Sequence, residues 1–209
     1  MHERKQSMDY LRAFEKKAWQ DGFTIVAGVD EAGRGPLAGP VVSAAVILPD
    51  TFSDERITDS KKLTPKKRNL LFDTIYSKAT AIGIGIVDPI EIDRINILQA
   101  ALLSMSIAVD NLVPYPDYLL IDGNKEIPSN ITQEPVIKGD SLSISIAAAS
   151  IIAKVSRDRL MVRYHEEYPD YGFSGHKGYP TKAHKTAVRN FGPCPIHRQT
   201  FRGVKEYVQ

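Results

Sequence analysis

The 209-residue sequence predicts an α/β domain with a mixed β-sheet flanked by helices. Three observations carry this expectation: two neighbouring apolar runs joined by a glycine-rich turn, an alternation of strand-like and helix-like segments after that pair, and a late helix built on small residues. In chain order, residues 8–20 set Leu11, Phe14, Ala18 and Trp19 at helical spacing between charges and predict a short amphipathic helix. Residues 24–30 are β-rich and end on acids followed by glycine, and residues 41–48 are a second apolar run. Gly33 to Pro40 then join two neighbouring strands in a hairpin-like arrangement. Thr64-Pro65 opens a helix running to about Ser77, because proline at the first helical position gives up only an N–H that has no helical partner. Residues 81–87 (AIGIGIV) predict a strand with glycine at alternate positions, and residues 89–112 one long helix. Residues 118–121 form a short buried strand running into Asp122-Gly123-Asn124, and residues 135–138 a further short strand. Residues 141–167 predict a long helix whose Ala147-Ala148-Ala149-Ser150 stretch allows close approach to the sheet. The last forty residues are turn-rich, so residues 1–209 are expected to form one domain, with an N-terminal helix over about 1–22 and a basic C-terminal extension over about 171–209.

The composition, 43% hydrophobic and 25% charged, is that of a globular chain with a sizeable core. The apolar stretches 41–48 and 144–153 fall short of the roughly 20 residues that a membrane-spanning helix needs. No apolar run with a cleavage site follows the charged N-terminus, and the single Cys194 forms no internal disulfide, so a reducing cytoplasmic location is expected. A net charge of +2 is too mild to indicate nucleic acid, but its distribution is uneven. Lys61, Lys62, Lys66, Lys67 and Arg68 form one cluster, and seven Lys/Arg after Tyr171 face the single acid Glu206. An ordinary solvated face would account for either cluster equally well.

Carboxylates stand at three strand ends or turns: Asp30-Glu31, Asp122 and Asp140. Consecutive strand residues face opposite sides, so Asp30 and Glu31 are expected to share a site only where the strand ends or bulges, as Gly33 and Gly35 would permit. Asp122 follows four apolar residues, and a carboxylate so close to a buried strand needs a partner. Converging carboxylates without Cys or His suit a hard divalent cation, Mg2+ or Mn2+. Two such ions about 4 Å apart can activate water and stabilise the leaving oxygen in phosphodiester hydrolysis. Each acid also has a plainer role: Asp140 as a helix N-cap, Asp122-Gly123 as a turn.

Gly33-Arg34-Gly35-Pro36, directly after two acids, is a turn that exposes its backbone to a sugar or phosphate. Exposed backbone groups suit recognition of a 2′-hydroxyl, which both donates and accepts and which separates RNA from DNA. A tight strand connection with a solvated arginine is the alternative for the tripeptide alone.

Together with 59–63 (DSKKL), 120–123 (LIDG), 138–140 (KGD), 147–154 (AAASIIAK), Arg157-Asp158 and 176–181 (HKGYPT), the segment 30–41 (DEAGRGPLAGPV) resembles the successive signature blocks of ribonuclease HII, in family order. The resemblance implies a ribonuclease H-like fold with a C-terminal helical extension. It also implies a monomeric endonuclease, dependent on Mg2+ or Mn2+, that cuts the RNA strand of RNA–DNA hybrids. Such enzymes incise 5′ to a single ribonucleotide embedded in duplex DNA, leaving 3′-hydroxyl and 5′-phosphate ends. By the same resemblance Asp30, Glu31, Asp122 and Asp140 are the active-site acids, the first three being the core metal ligands. Gly33, Arg34 and Gly35 would contact the ribose 2′-hydroxyl, Tyr179 would stack on or wedge against the next sugar, and Lys61 would meet a backbone phosphate. Asp158, beside Arg157, reads as a structural ion pair, and His176, His184 and His197 as electropositive or structural groups.

Three rivals remain open at this point. Ribonuclease HIII shares most blocks but carries an extra N-terminal domain, whereas some two dozen residues precede the first strand here. A junction resolvase would share the acids without needing the glycine–arginine turn. A hybrid-binding protein that does not cut would have no use for four acids.

Overall fold

The structure, a computed structural model, describes residues 10–54, 56–57 and 63–208, so Lys61 lies outside the described residues. Helix α1 (Ala13–Gln20) precedes strands β1 (Val26–Ala32) and β2 (Val41–Ile47), which form the expected antiparallel pair. Helix α2 (Pro65–Lys78) leads to β3 (Ala81–Val87), and helices α3 (Pro89–Ile95) and α4 (Ile97–Asp110) lead to β4 (Tyr118–Asp122) and β5 (Thr132–Val136). A 3-10 turn at Gly139–Ser141 enters the long helix α5 (Ile144–Glu167), and α6 (Phe173–His176) and α7 (Lys182–Phe191) give the C-terminal region its helical character. The sheet order is β3-β2-β1-β4-β5, antiparallel across the first three strands and parallel across the last three. Among the described residues no helix is long and apolar enough to cross a membrane.

The single helix expected over 89–112 is two helices. Asn96 sits at φ 70°, and its side chain accepts the N–H groups of Leu98 at 3.0 Å and Gln99 at 3.1 Å, so a new N-cap restarts the helix in a new direction. Strand β5 lies earlier than expected and stops before Lys138, whose φ of 59° is left-handed and ends the extended run. Pro135 is tolerated because β5 is an edge strand. Helix α5 begins later than expected, with the Ser143 hydroxyl accepting the Ile146 N–H at 3.2 Å.

Helices α5 and α2 cover one face of the sheet, packing Ile152, Leu71 and Ile75 against Ala44 and Val46. Helix α4 covers the other, with Met105 and Ala108 on Val29, Ala45 and Ile121. Each of the larger apolar side chains, when fully buried, contributes about 1.5–3 kcal/mol. At Gly28 on β1 an added Cβ would lie 2.1 Å from the Ser145 carbonyl carbon, so α5 rests directly on the strand that carries Asp30. The alternate glycines of β3 serve α4 in the same way: a Cβ at Gly83 would be 2.0 Å from the Ala108 carbonyl oxygen and one at Gly85 1.9 Å from that of Ser104.

Candidate active site

Parallel pairing of β1 with β4 ends at Val29–Ile121. The next residues on the two strands are Asp30 and Asp122, so both carboxylates leave the C-terminal edge of neighbouring parallel strands, where open α/β sheets place their ligands. Asp30 is 5% exposed, its Oδ1 accepts the Glu31 N–H at 2.7 Å, and Ser150 on α5 hydrogen-bonds its side chain. The sequence suggested that β1 ends or bulges at these acids. It does not bulge, since Asp30 pairs with Ala44 and Glu31 with Ser43 in unbroken register, but it does end there, one residue beyond Glu31 at Ala32. The two acids keep opposite faces of the strand and still reach one site, because β4 stops at Asp122 and leaves that edge of β1 open.

A cleft of about 250 Å³ brings together Asp30, Glu31, Gly33, Arg34, Gly35, Asp122 and Tyr179 with Arg68, Ser150 and Lys154. An adjoining cleft of about 230 Å³ shares Glu31, Arg34 and Asp122 and adds Gly123, Asn124 and Lys125. Asp140 lines neither of these clefts. It is buried in the 3-10 turn, where its backbone N–H donates to Asp122 Oδ1 at 3.4 Å, and the helix cap it was a candidate for belongs to Ser143. A larger, mostly apolar depression of about 470 Å³ opens at the other end of β1, around Trp19, Phe23 and Pro114.

Burial, then the charges of Glu31 and Asp122, push the Asp30 carboxyl well above the usual carboxylate range. Burial raises Glu31 too, opposed by Arg34, whose Nη1 lies 3.3 Å from Glu31 Oε1. An oxygen-only set of mutually repelling acids fits a hard divalent cation, whose charge would reverse those shifts. Among the described residues no three or more His, Cys, Asp or Glu side chains are gathered so as to hold a metal ion by themselves. Mg2+-type sites take one or two carboxylates and fill their remaining positions with water and phosphate oxygens, so an open set is compatible with them.

Several site residues carried no assigned role in the sequence. Lys154 and Ser150 belong to the 147–154 block, and Arg68 to the basic cluster. Lys154 Nζ stands 5.7 Å from the Tyr179 ring centroid and 2.6 Å from Asp158 Oδ1. Asp158 is thus an ion-pair residue, but with Lys154 and, at 3.9 Å, Arg68. Its expected partner Arg157 turns inward instead, fully buried, and donates to the carbonyls of Pro40, Ala38 and Lys177. Arg198, counted with the basic tail, is also fully buried and donates to the carbonyls of Gly33, Arg34, Pro36 and Gly39. No local pattern marks it, since its acceptors lie up to 165 residues away. His184 and His197 are buried and pushed down to about 4 by that burial, so they are neutral structural groups and not an electropositive patch.

The family described as Ribonuclease HII matches residues 27–204. The ribonuclease HII of Geotalea uraniireducens (strain Rf4) is 58% identical over 199 residues, covering 95% of this chain and 92% of its own. Among solved structures, ribonuclease H2 from Pyrococcus horikoshii OT3 aligns at 28% identity with a TM-score of 0.73, over 88% of this chain and 97% of that one. The Mn2+ complex of Bst-RNase HIII shares the fold, with a TM-score of 0.66 at 20% identity over 91% of this chain and 71% of its own. With a family match over most of its length and a relative this similar, the chain belongs to the ribonuclease HII family of endoribonucleases.

Proposed function

We propose that this chain is a metal-dependent endonuclease that hydrolyses the RNA strand of RNA–DNA hybrids and incises 5′ to ribonucleotides embedded in duplex DNA, leaving 3′-hydroxyl and 5′-phosphate ends. The observation that supports this best is the meeting, in one cleft, of Asp30, Glu31 and Asp122 with the Gly33-Arg34-Gly35 turn and Tyr179. Asp30, Glu31, Asp122 and Asp140 are the residues that would hold Mg2+ or Mn2+. Two bound ions would activate the attacking water and neutralise the leaving 3′ oxygen. Asp30 and Asp122, fixed on adjacent strand ends, would set the position of the scissile phosphate, and Asp140 would orient Asp122 through its backbone N–H. Gly33, Arg34 and Gly35 would read the ribose 2′-hydroxyl, Tyr179 would pack on the neighbouring sugar, and Lys61 would meet a backbone phosphate. The proposal includes action as a cytoplasmic monomer, with residues 1–209 as one catalytic domain.

The test is cleavage of a duplex carrying one embedded ribonucleotide, titrated with each metal beside an all-DNA four-way junction. Metal-dependent incision 5′ to the ribonucleotide is expected, and cleavage of the junction alone would overturn the reading. Asp122→Asn should abolish cutting and leave hybrid binding measurable. Wild-type cutting by that variant would remove the metal assignment.

A further inference from the structure

Arg157 and Arg198 are fully buried, and neither forms an ion pair among the described residues. A buried guanidinium requires acceptors for its five N–H groups, and here backbone carbonyls provide them. Arg198 Nε donates to Gly39 O at 3.0 Å, Nη1 to Arg34 O and Pro36 O at 2.9 Å each, and Nη2 to Gly33 O at 2.5 Å and Gly39 O at 2.9 Å. Burial lowers Arg198 to about 9, which leaves it charged near neutrality.

A peptide plane fixes the consequence. The carbonyl of one residue and the N–H of the next point in opposite directions. With the Gly33 and Arg34 carbonyls turned onto Arg198, the N–H groups of Arg34 and Gly35 turn away from it. Leu37 follows the same rule: the Pro36 carbonyl faces Arg198, and the Leu37 N–H donates outward to Gly178 O at 2.8 Å. The Arg34 and Gly35 N–H groups meet no acceptor among the described residues, and both residues line the cleft with Asp30. Two successive N–H groups facing one way form a concave donor site for a phosphate or hydroxyl oxygen. The Leu37–Gly178 bond also sets Tyr179 beside the turn, where a Cβ on Gly35 would be 3.7 Å from the Tyr179 ring.

We propose that Arg198 is a positioning residue for substrate selection: its guanidinium sets the peptide planes of residues 33–36 so that the Arg34 and Gly35 N–H groups face the substrate's sugar edge. This rests on the function proposed above. Arg157, which holds the carbonyls of Ala38, Pro40 and Lys177 but none at residues 33 or 34, is a supporting clamp of lesser effect.

The experiment compares wild type, Arg198→Lys, Arg198→Gln and Arg157→Lys. Binding to a duplex with one embedded ribonucleotide and to its all-DNA counterpart is measured by fluorescence anisotropy in EDTA. Lysine keeps the charge but not the planar fork, and glutamine keeps planar donors without the charge. Both Arg198 variants should lose about tenfold of the ribonucleotide preference, the equivalent of one net hydrogen bond. Arg157→Lys should lose less, and the Mg2+ concentration for half-maximal cleavage should stay unchanged in the Arg198 variants. Amide exchange at Leu37 and Gly39 should quicken in Arg198→Lys while β1 and β2 stay protected. Retention of the preference within about twofold in a folded Arg198 variant, or an equal loss in Arg157→Lys, overturns the proposal. A wild-type protein with no ribonucleotide preference defeats the proposed function instead, and amide exchange then decides the loop geometry alone, unchanged protection at Leu37 and Gly39 refuting it.

Discussion

Replacing His197 by glutamine should flatten the loss of stability that acid brings, because a buried histidine pair is built to stay uncharged. His184 Nδ1 lies 2.9 Å from the Tyr179 carbonyl oxygen and must donate to it, so His184 Nε2 is an acceptor. It accepts a hydrogen bond from His197 Nε2–H at 3.0 Å, and His197 Nδ1 accepts the Cys194 N–H at 2.9 Å with Cys194 Sγ 3.1 Å away. An added proton on either ring would set two donors against each other, in surroundings also packed by Phe173 and by His176, itself lowered by burial. Burial, assisted by the neighbouring histidines, pushes both rings down to about 4 from an ordinary 6.5. Between those values the unfolded chain binds more protons than the folded one, so stability is fully present above pH 6.5 and is lost as pH falls through about 4. One histidine then contributes about 3 kcal/mol, which is about 10 °C in Tm for a chain of this size. Asp30 and Glu31, raised in the folded state, act oppositely: their contribution is present in acid and lost as pH rises. The quantity to measure is therefore the difference between wild type and His197→Gln in urea unfolding at pH 7.5, 6.0, 5.0 and 4.5. That gap should narrow by about 2.5 kcal/mol between pH 7.5 and 4.5, and parallel curves across the window would refute the shared-proton account.

Gly28→Ala should destabilise by about 3 kcal/mol in urea unfolding, since its Cβ would stand 2.1 Å and 2.3 Å from backbone atoms of Ser145 and Ile146; a loss below about 0.5 kcal/mol would mean that α5 does not rest on β1 as described. Arg34→Ala should erode ribonucleotide preference and binding more than the Mg2+ midpoint of cleavage, because the Arg34 guanidinium is half exposed and solvent screens its ion pair with the largely buried Glu31 to under about 1 kcal/mol. Equal losses in both readouts would count against that division of labour. Asp158→Asn should cost under about 1 kcal/mol and leave the Mg2+ midpoint in place, as its Lys154 and Arg68 partners are partly hydrated; a tenfold shift of the midpoint would make Asp158 part of the metal site.

Local pattern carried the elements whose signals are local. The AIGIGIV run is β3 over its expected bounds, and the Thr64-Pro65 start of α2 is where a cap and an N1 proline belong. The acids and the glycine–arginine turn were legible because they occur as contiguous blocks. The Asn96 break was missed because an apolar period runs through it, although asparagine is a favoured N-cap and its side chain makes both capping bonds here. Asp30 and Glu31 reach a common site for a reason held elsewhere in the chain, namely where β4 stops. Arg198 reads as part of a basic tail, Arg157 as the ion-pair partner of Asp158 and the histidine pair as electropositive or structural groups, because nothing adjacent in sequence reveals their acceptors. Burial of a polar group is set by tertiary partners, and for these four the partners came from another part of the fold or from a tight turn.

The bonds from Arg198 to Gly33 span 165 residues, so the turn beside the acids is completed by a segment made long after it. All five strands and α5 lie before Tyr168 in the chain. During synthesis from the N-terminus, Asp30, Glu31, Asp122 and Asp140 are therefore all present before the residue that shapes their neighbouring turn emerges. Closure of that long loop is the entropically late step, and it ties the shape of the turn at residues 33–36 to the emergence of Arg198. A chain ending short of Arg198 would hold its carboxylates and lack the guanidinium grip on residues 33–39, so the four acids are in hand before the turn beside them is shaped.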